Sequence, residues 1–154
     1  MQLLREVLFG GVSPAAAVAE ATITALRVAA GLMMAFGHGI GKIPPQAGFV
    51  DTVDALGFPL PLFFAWLAGI AEFVGGLLLA AGPLTRPAAA AILIAMLVAA
   101  FGAHAGDPLF AAPGEPSKEM AVLYGVIALA FVGAGGGRLS ADHWVRDQYD
   151  RLLP

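Results

Sequence analysis

The sequence predicts an all-α fold: a bundle of four transmembrane helices, both termini cytoplasmic, with short interfacial helices at the N-terminus and in the C-terminal tail. Three observations predict it. Of 154 residues, 59% are hydrophobic and 12% charged, about half the charge of an average soluble domain. Four apolar runs, about residues 21–40, 62–81, 88–105 and 120–134, approach the ~20 residues that cross ~30 Å of hydrocarbon. The basic residues gather at one end of those runs. Arg5, Arg86, Arg138, Arg146 and Arg151 lie on the side of the termini, with Arg27 nearest to it, while the opposite side has Lys42 and Lys118. The positive-inside rule makes the first side cytoplasmic and turns the 41–61 and 105–118 loops outward.

The chain divides into an interfacial segment (1–16), a membrane domain (17–135) and an amphipathic tail (136–154). In the first segment Leu3, Leu4, Val7 and Leu8 share a helical face opposite Gln2, Arg5 and Glu6, up to a Ser13-Pro14 break. Arg5 and Glu6 argue against a cleavable signal peptide. "HGIGKIPPQAGF" ends the first run with glycines and a Pro44-Pro45 pair. Residues 47–56, carrying Phe49, Val53 and Leu56, are a second interfacial candidate. "GFPLP" opens the second run, "GPLTRP" turns into the third, and a proline-rich loop over 104–118 leads to the fourth. In the tail Ser140 is a plausible N-cap for a surface helix with Trp144 and Tyr149.

Composition also excludes. A net charge of −3 offers no basic face for nucleic acid. The chain has no cysteine, so disulfides, thiolate metal sites and thiol redox relays are out. Any electrons would come from a cofactor or a partner.

Charges inside a span are costly and want partners. Arg27, Gly31, Met34 and His38 form one helical stripe, and Ala65, Gly69, Glu72 and Gly76 form another. The small residues Gly31, Gly69 and Gly76 allow close helix packing. Counted from the run ends, Arg27 lies about 9 Å and Glu72 about 13 Å deep, so a structural Arg27–Glu72 ion pair is expected. The other reading is a protonatable carboxylate facing a cavity. His38 and His104 fall at a common depth near the outer end, about 25 Å and 24 Å up their helices. With Lys42, Asp107, Lys118 and Glu119 nearby they suggest an outer polar cluster. It is either a set of helix caps or a pocket built from His38, Lys42, Glu72, His104 and Glu119. No close ligand spacing of the HExxH kind occurs, so no metal is expected.

"RVAAGLMMAFGHGIGKI", "LGFPLPLFFAWLAGIAEFVGGLLLAAGPLTRPAA" and "GAGGGRLSADHW" resemble the DoxX family of small four-helix bacterial membrane proteins. The resemblance covers roughly residues 27–144. It rests on Gly57, Pro59, the LAG before Glu72, Gly75-Gly76 and Thr85-Arg86, and on Arg27, His38-Gly39 and Lys42. It implies a multi-pass protein of the bacterial inner membrane, similar to subunits of quinone-linked oxidoreductases, with no agreed catalytic residues. The expectation is therefore a membrane subunit that binds quinone or anchors a redox partner, with no intrinsic cofactor. The expected partners are the lipid bilayer and other membrane subunits or a second copy. A non-enzymatic scaffold and a small proton-coupled carrier through Glu72 are the alternatives.

Overall fold

In the computed structural model, residues 14–152 are described, and the interfacial helix expected from Leu3 to Leu8 lies outside them. Among the described residues all regular structure is helical. Helix α1 starts at Pro14, where a missing N–H costs nothing, and runs to Leu32. It continues through a π-helical stretch, Met33–Gly39, and a 3₁₀ turn, Ile40–Lys42. A short α2 (Ala47–Ala55) follows. The long α3 (Pro61–Ala81) leads into α4 (Thr85–Val98), which ends in its own π-helical turn, Ala99–Ala103. Then come α5 (Glu119–Ala134) and α6 (Ala141–Leu152).

Three of these helices are long and apolar enough to cross a membrane: Ala17–Lys42 with 26 residues, Pro61–Ala81 with 21 and Thr85–Ala103 with 19. The fourth apolar helix, α5, has 16 residues, about 24 Å at the helical rise. Gly135, at φ 76, ends it.

Helix α3 is the centre. It packs on α1, α2 and α4, and α4 packs on α5. Met34, Leu79, Ile92, Met96, Tyr124 and Phe131, drawn from four helices, form the core. Between α1 and α3 the contact is backbone on backbone. A Cβ placed on Gly31 would lie 2.6 Å from Ala80 N and from Gly76 O, and one on Gly76 2.7 Å from Gly31 O. Glycine alone permits that approach.

At the end where α3 stops, Arg27 is 1% exposed. Its Nη1 donates to the carbonyls of Leu79 (2.6 Å) and Ala80 (2.7 Å), and its Nη2 to that of Leu139 (2.9 Å). The α3 carbonyls belong to the last turn, where no intrahelical donor remains and the helix dipole is negative. One guanidinium therefore joins α1, the end of α3 and the loop before α6. Gly82 is required beside it, since it has φ 89 and a Cβ there would meet Arg27 Nη1 at 2.7 Å. Ser140 caps α6, accepting from the His143 amide at 3.2 Å.

Asp142 then closes the knot from below. Its carboxylate accepts the amides of Leu84 (2.7 Å) and Thr85 (2.9 Å) at the start of α4, although 57 or more residues separate them in sequence. Leu84 has φ 51, a left-handed conformation costly for a residue with a Cβ, and the carboxylate holds it there. Partial burial pushes the Asp142 carboxyl upward, but the hydrogen bonds from Thr85 and Leu84 and the charge of Arg27 outweigh it. The group therefore ends below the usual aspartate range.

Two outcomes follow from this packing. Gly76→Leu should force α1 and α3 apart and cost at least about 3 kcal/mol in an unfolding titration in detergent micelles. Gly133→Ala, at a position with open space around it, should leave stability unchanged or slightly raised. A carboxylate with a lowered folded pKa stabilises above its unfolded value, about 3.9, and that stabilisation is lost as pH falls further. Protection of the Leu84 and Thr85 amides against exchange, relative to the intrinsic rate at each pH, should thus be high at neutral pH and fall below about pH 4, whereas Asp142→Ala should lower it already at neutral pH.

Candidate functional site

The opposite end of the bundle holds the polar chemistry. The close contact of α1 with α3 extends through Gly39, whose Cα faces the Glu72–Phe73 backbone, to Gly69, where a Cβ would lie 2.9 Å from Lys42 O. It delivers Lys42, the last residue of the 3₁₀ turn, onto α3. Lys42 Nζ donates to both oxygens of Glu72, at 2.5 and 2.6 Å. Glu72 is 3% exposed and Lys42 30%. The Phe49 ring of α2 lies 5.2 Å from Nζ, within cation–π range.

The Arg27–Glu72 pair expected from helix depths does not form. Glu72 belongs to Lys42, and Arg27 is spent on backbone carbonyls farther along α3. The expectation counted depth from the ends of the apolar runs. The real α1 starts at Pro14 and carries a π turn, so Arg27 sits beside the α3 terminus.

The ion pair forms part of the wall of a cavity of about 540 Å³. Phe49 and Val53 of α2, Phe64 and Leu67 of α3, and Ile94 and Val98 of α4 supply much of its apolar lining. The polar lining side chains are Lys42, Thr52, Glu72 and His104. Leu67, Ile94 and Val98 are exposed as well as lining it, so the apolar wall reaches the surface of the bundle. The size and apolar lining suit a small organic ligand with a few polar atoms.

His104 follows the π turn of α4 and lines the same cavity. Its Nδ1 lies 2.7 Å from Asp107 Oδ2. Lys118 Nζ donates to Ala105 O at 3.1 Å and closes the loop behind it.

His38 and Glu119 go elsewhere. His38 is half-buried and meets the Tyr124 ring edge-on, with centroids 5.3 Å apart, and it is not part of the cavity lining. The π-helical stretch turns it away from α3. Glu119 is exposed in the first turn of α5, where a negative charge suits the helix dipole. The expected outer cluster therefore resolves into Lys42–Glu72 and His104–Asp107 on the cavity, and His38–Tyr124 between α1 and α5. Among the described residues no three His, Asp or Glu side chains gather as a metal site would need. Sequence reasoning missed the apolar residues that make the cavity, above all Phe49 and Val53. Their presence on a short helix after a double proline was the available signal.

Long apolar helices with a buried ion pair beside an apolar cavity mark a small helical membrane protein. The family model that matches the chain is DoxX, over residues 22–105. The chain belongs to the DoxX family. It is also similar to an uncharacterized protein of Haemophilus influenzae (strain ATCC 51907 / DSM 11121 / KW20 / Rd), 37% identical over 90 residues, which are 58% of this chain and 64% of the relative's length. No solved structure matches.

Proposed function

We propose that this protein is a multi-pass subunit of the bacterial inner membrane that holds a lipid-soluble, carbonyl-bearing molecule of the quinone class against the Lys42–Glu72 pair. Four spans and cytoplasmic termini belong to the same reading, with the protein serving a larger redox complex. The observation that carries it is a charged pair, Glu72 all but buried, facing a cavity whose remaining lining is apolar apart from Thr52 and His104. An ammonium group has three donors. Glu72 takes two, and one remains for an acceptor in the cavity. The apolar walls accommodate the ring, and the exposed Leu67, Ile94 and Val98 at their edge let an isoprenoid chain trail into the bilayer. Such a group, when bound, supplies electron and proton carriage that a chain without cysteine lacks.

A proton-coupled carrier is less well supported, because the Glu72 carboxylate already has both oxygens on Lys42. The scaffold reading gains from α6, where Trp144, Val145, Tyr149 and Leu152 share an exposed side.

The test is native mass spectrometry of the protein in phosphatidylcholine nanodiscs loaded with ubiquinone. The wild type should retain quinone. Lys42→Met, which removes the donor, and Ile94→Trp, which fills the cavity and spares the ion pair, should each reduce retention about tenfold or more, the worth of one good hydrogen bond or its equivalent. Equal retention in all three, or none in the wild type, contradicts the proposal and favours a scaffold.

A further inference from the structure

The second polar pair on the cavity has a geometry of its own. His104 is the one histidine among the lining residues, and its Nδ1 is taken by Asp107 at 2.7 Å. An ionised aspartate only accepts, so Nδ1 carries the proton and donates. In the neutral ring Nε2 is then a bare acceptor. The two ends of the polar lining are thus chemically opposite: Lys42 offers a hydrogen, and His104 offers a lone pair. A ligand satisfying both has an oxygen acceptor at one place and a hydroxyl at another.

We propose that His104, oriented by Asp107, is a proton-exchanging residue for a cavity ligand bearing an acidic hydroxyl of the phenol or enol type. This rests on the reading of the cavity as a ligand site. In the step the ligand's O–H bond breaks and an Nε2–H bond forms, with no change in electron count. The imidazolium that results is neutralised through Nδ1 by Asp107, which itself stays ionised. The ligand's oxyanion is left in a space that Lys42 also faces. His104 has 41% of its side chain exposed and Asp107 27%, so the proton can pass on to water outside the 104–118 loop. The charged groups around the ring are Lys42 at the end of α1 and Glu72 on α3, both on the cavity, with Asp107 and Lys118 in its own loop. α2 contributes the neutral Thr52 to the lining. Asp107 is a positioning residue, since it acts through the ring.

The experiment uses the full chain in phosphatidylcholine nanodiscs and a long-chain alkyl 2-nitrophenol as probe. Retention by protein-loaded over empty nanodiscs, lost in Ile94→Trp, reports binding in the cavity, and visible absorption reports the phenolate. The bound probe should show about tenfold more phenolate at a given pH than the probe in empty nanodiscs, a shift of about one unit. His104→Gln should abolish that shift in the probe that remains bound. Asp107→Asn should diminish it, and Asp107→Glu should restore it, which a merely structural role for the loop would not do. A shift that survives His104→Gln belongs to Lys42 and overturns the proposal, as does a bound probe with no shift. In either case the cavity reading stands. A probe that protein-loaded nanodiscs retain no better than empty ones overturns both.

Discussion

The backbone contact between α1 and α3 is the constraint from which the rest of the structure follows. Gly31 against Gly76, and Gly39 against the Glu72–Phe73 backbone, bring the two helices closer than any side chain would allow. In a bilayer there is little hydrophobic drive between helices, so packing and internal hydrogen bonds must supply it. The contact fixes register at both of its ends. On one side it places Arg27 on the last carbonyls of α3, and on the other it lays Lys42 across Glu72. A slip of one helical turn would strand both charges in an apolar medium, where each is costly.

The two ends serve different purposes. Around Arg27 every partner is a backbone carbonyl or a helix cap, and the glycine-rich loop and α6 are drawn into one compact knot with the α3–α4 turn. Around Lys42 the packing is incomplete. α2 stands beside α3 without filling the space to α4, and a cavity remains with a polar pair in its wall. A buried ion pair adds little net stability by comparison with well-packed apolar residues. Its place beside an apolar space is the feature on which the proposed ligand site rests.

Much of this was legible in the sequence, and the failures are instructive. The apolar runs mark the spanning helices, and the glycines around Glu72 mark the stripe along which α1 lies. The partners of the charges could not be read. Arg27 binds carbonyl oxygens, which every residue possesses and no letter identifies. Asp142 holds the amides of Leu84 and Thr85 across a sequence gap that only the folded loop closes. The common depth of His38 and His104 assumes an unbroken α-helical rise of about 1.5 Å per residue, and their common facing assumes about 3.6 residues per turn. Both helices end in π-helical turns, which shift the facing of residues by a fraction of a turn. One histidine therefore meets the cavity and the other meets Tyr124.

The most direct measurement is a double-mutant cycle on Lys42 and Glu72, read as unfolding free energy of the protein in lipid–detergent micelles. If the α1–α3 contact joins these charges in a dry place, Lys42→Met and Glu72→Gln should each cost about 3–5 kcal/mol, and the double variant should recover most of that loss. Single variants close to the wild type, with additive effects in the double, would mean that the two charges are separately solvated. The account of the cavity would then fail at its foundation.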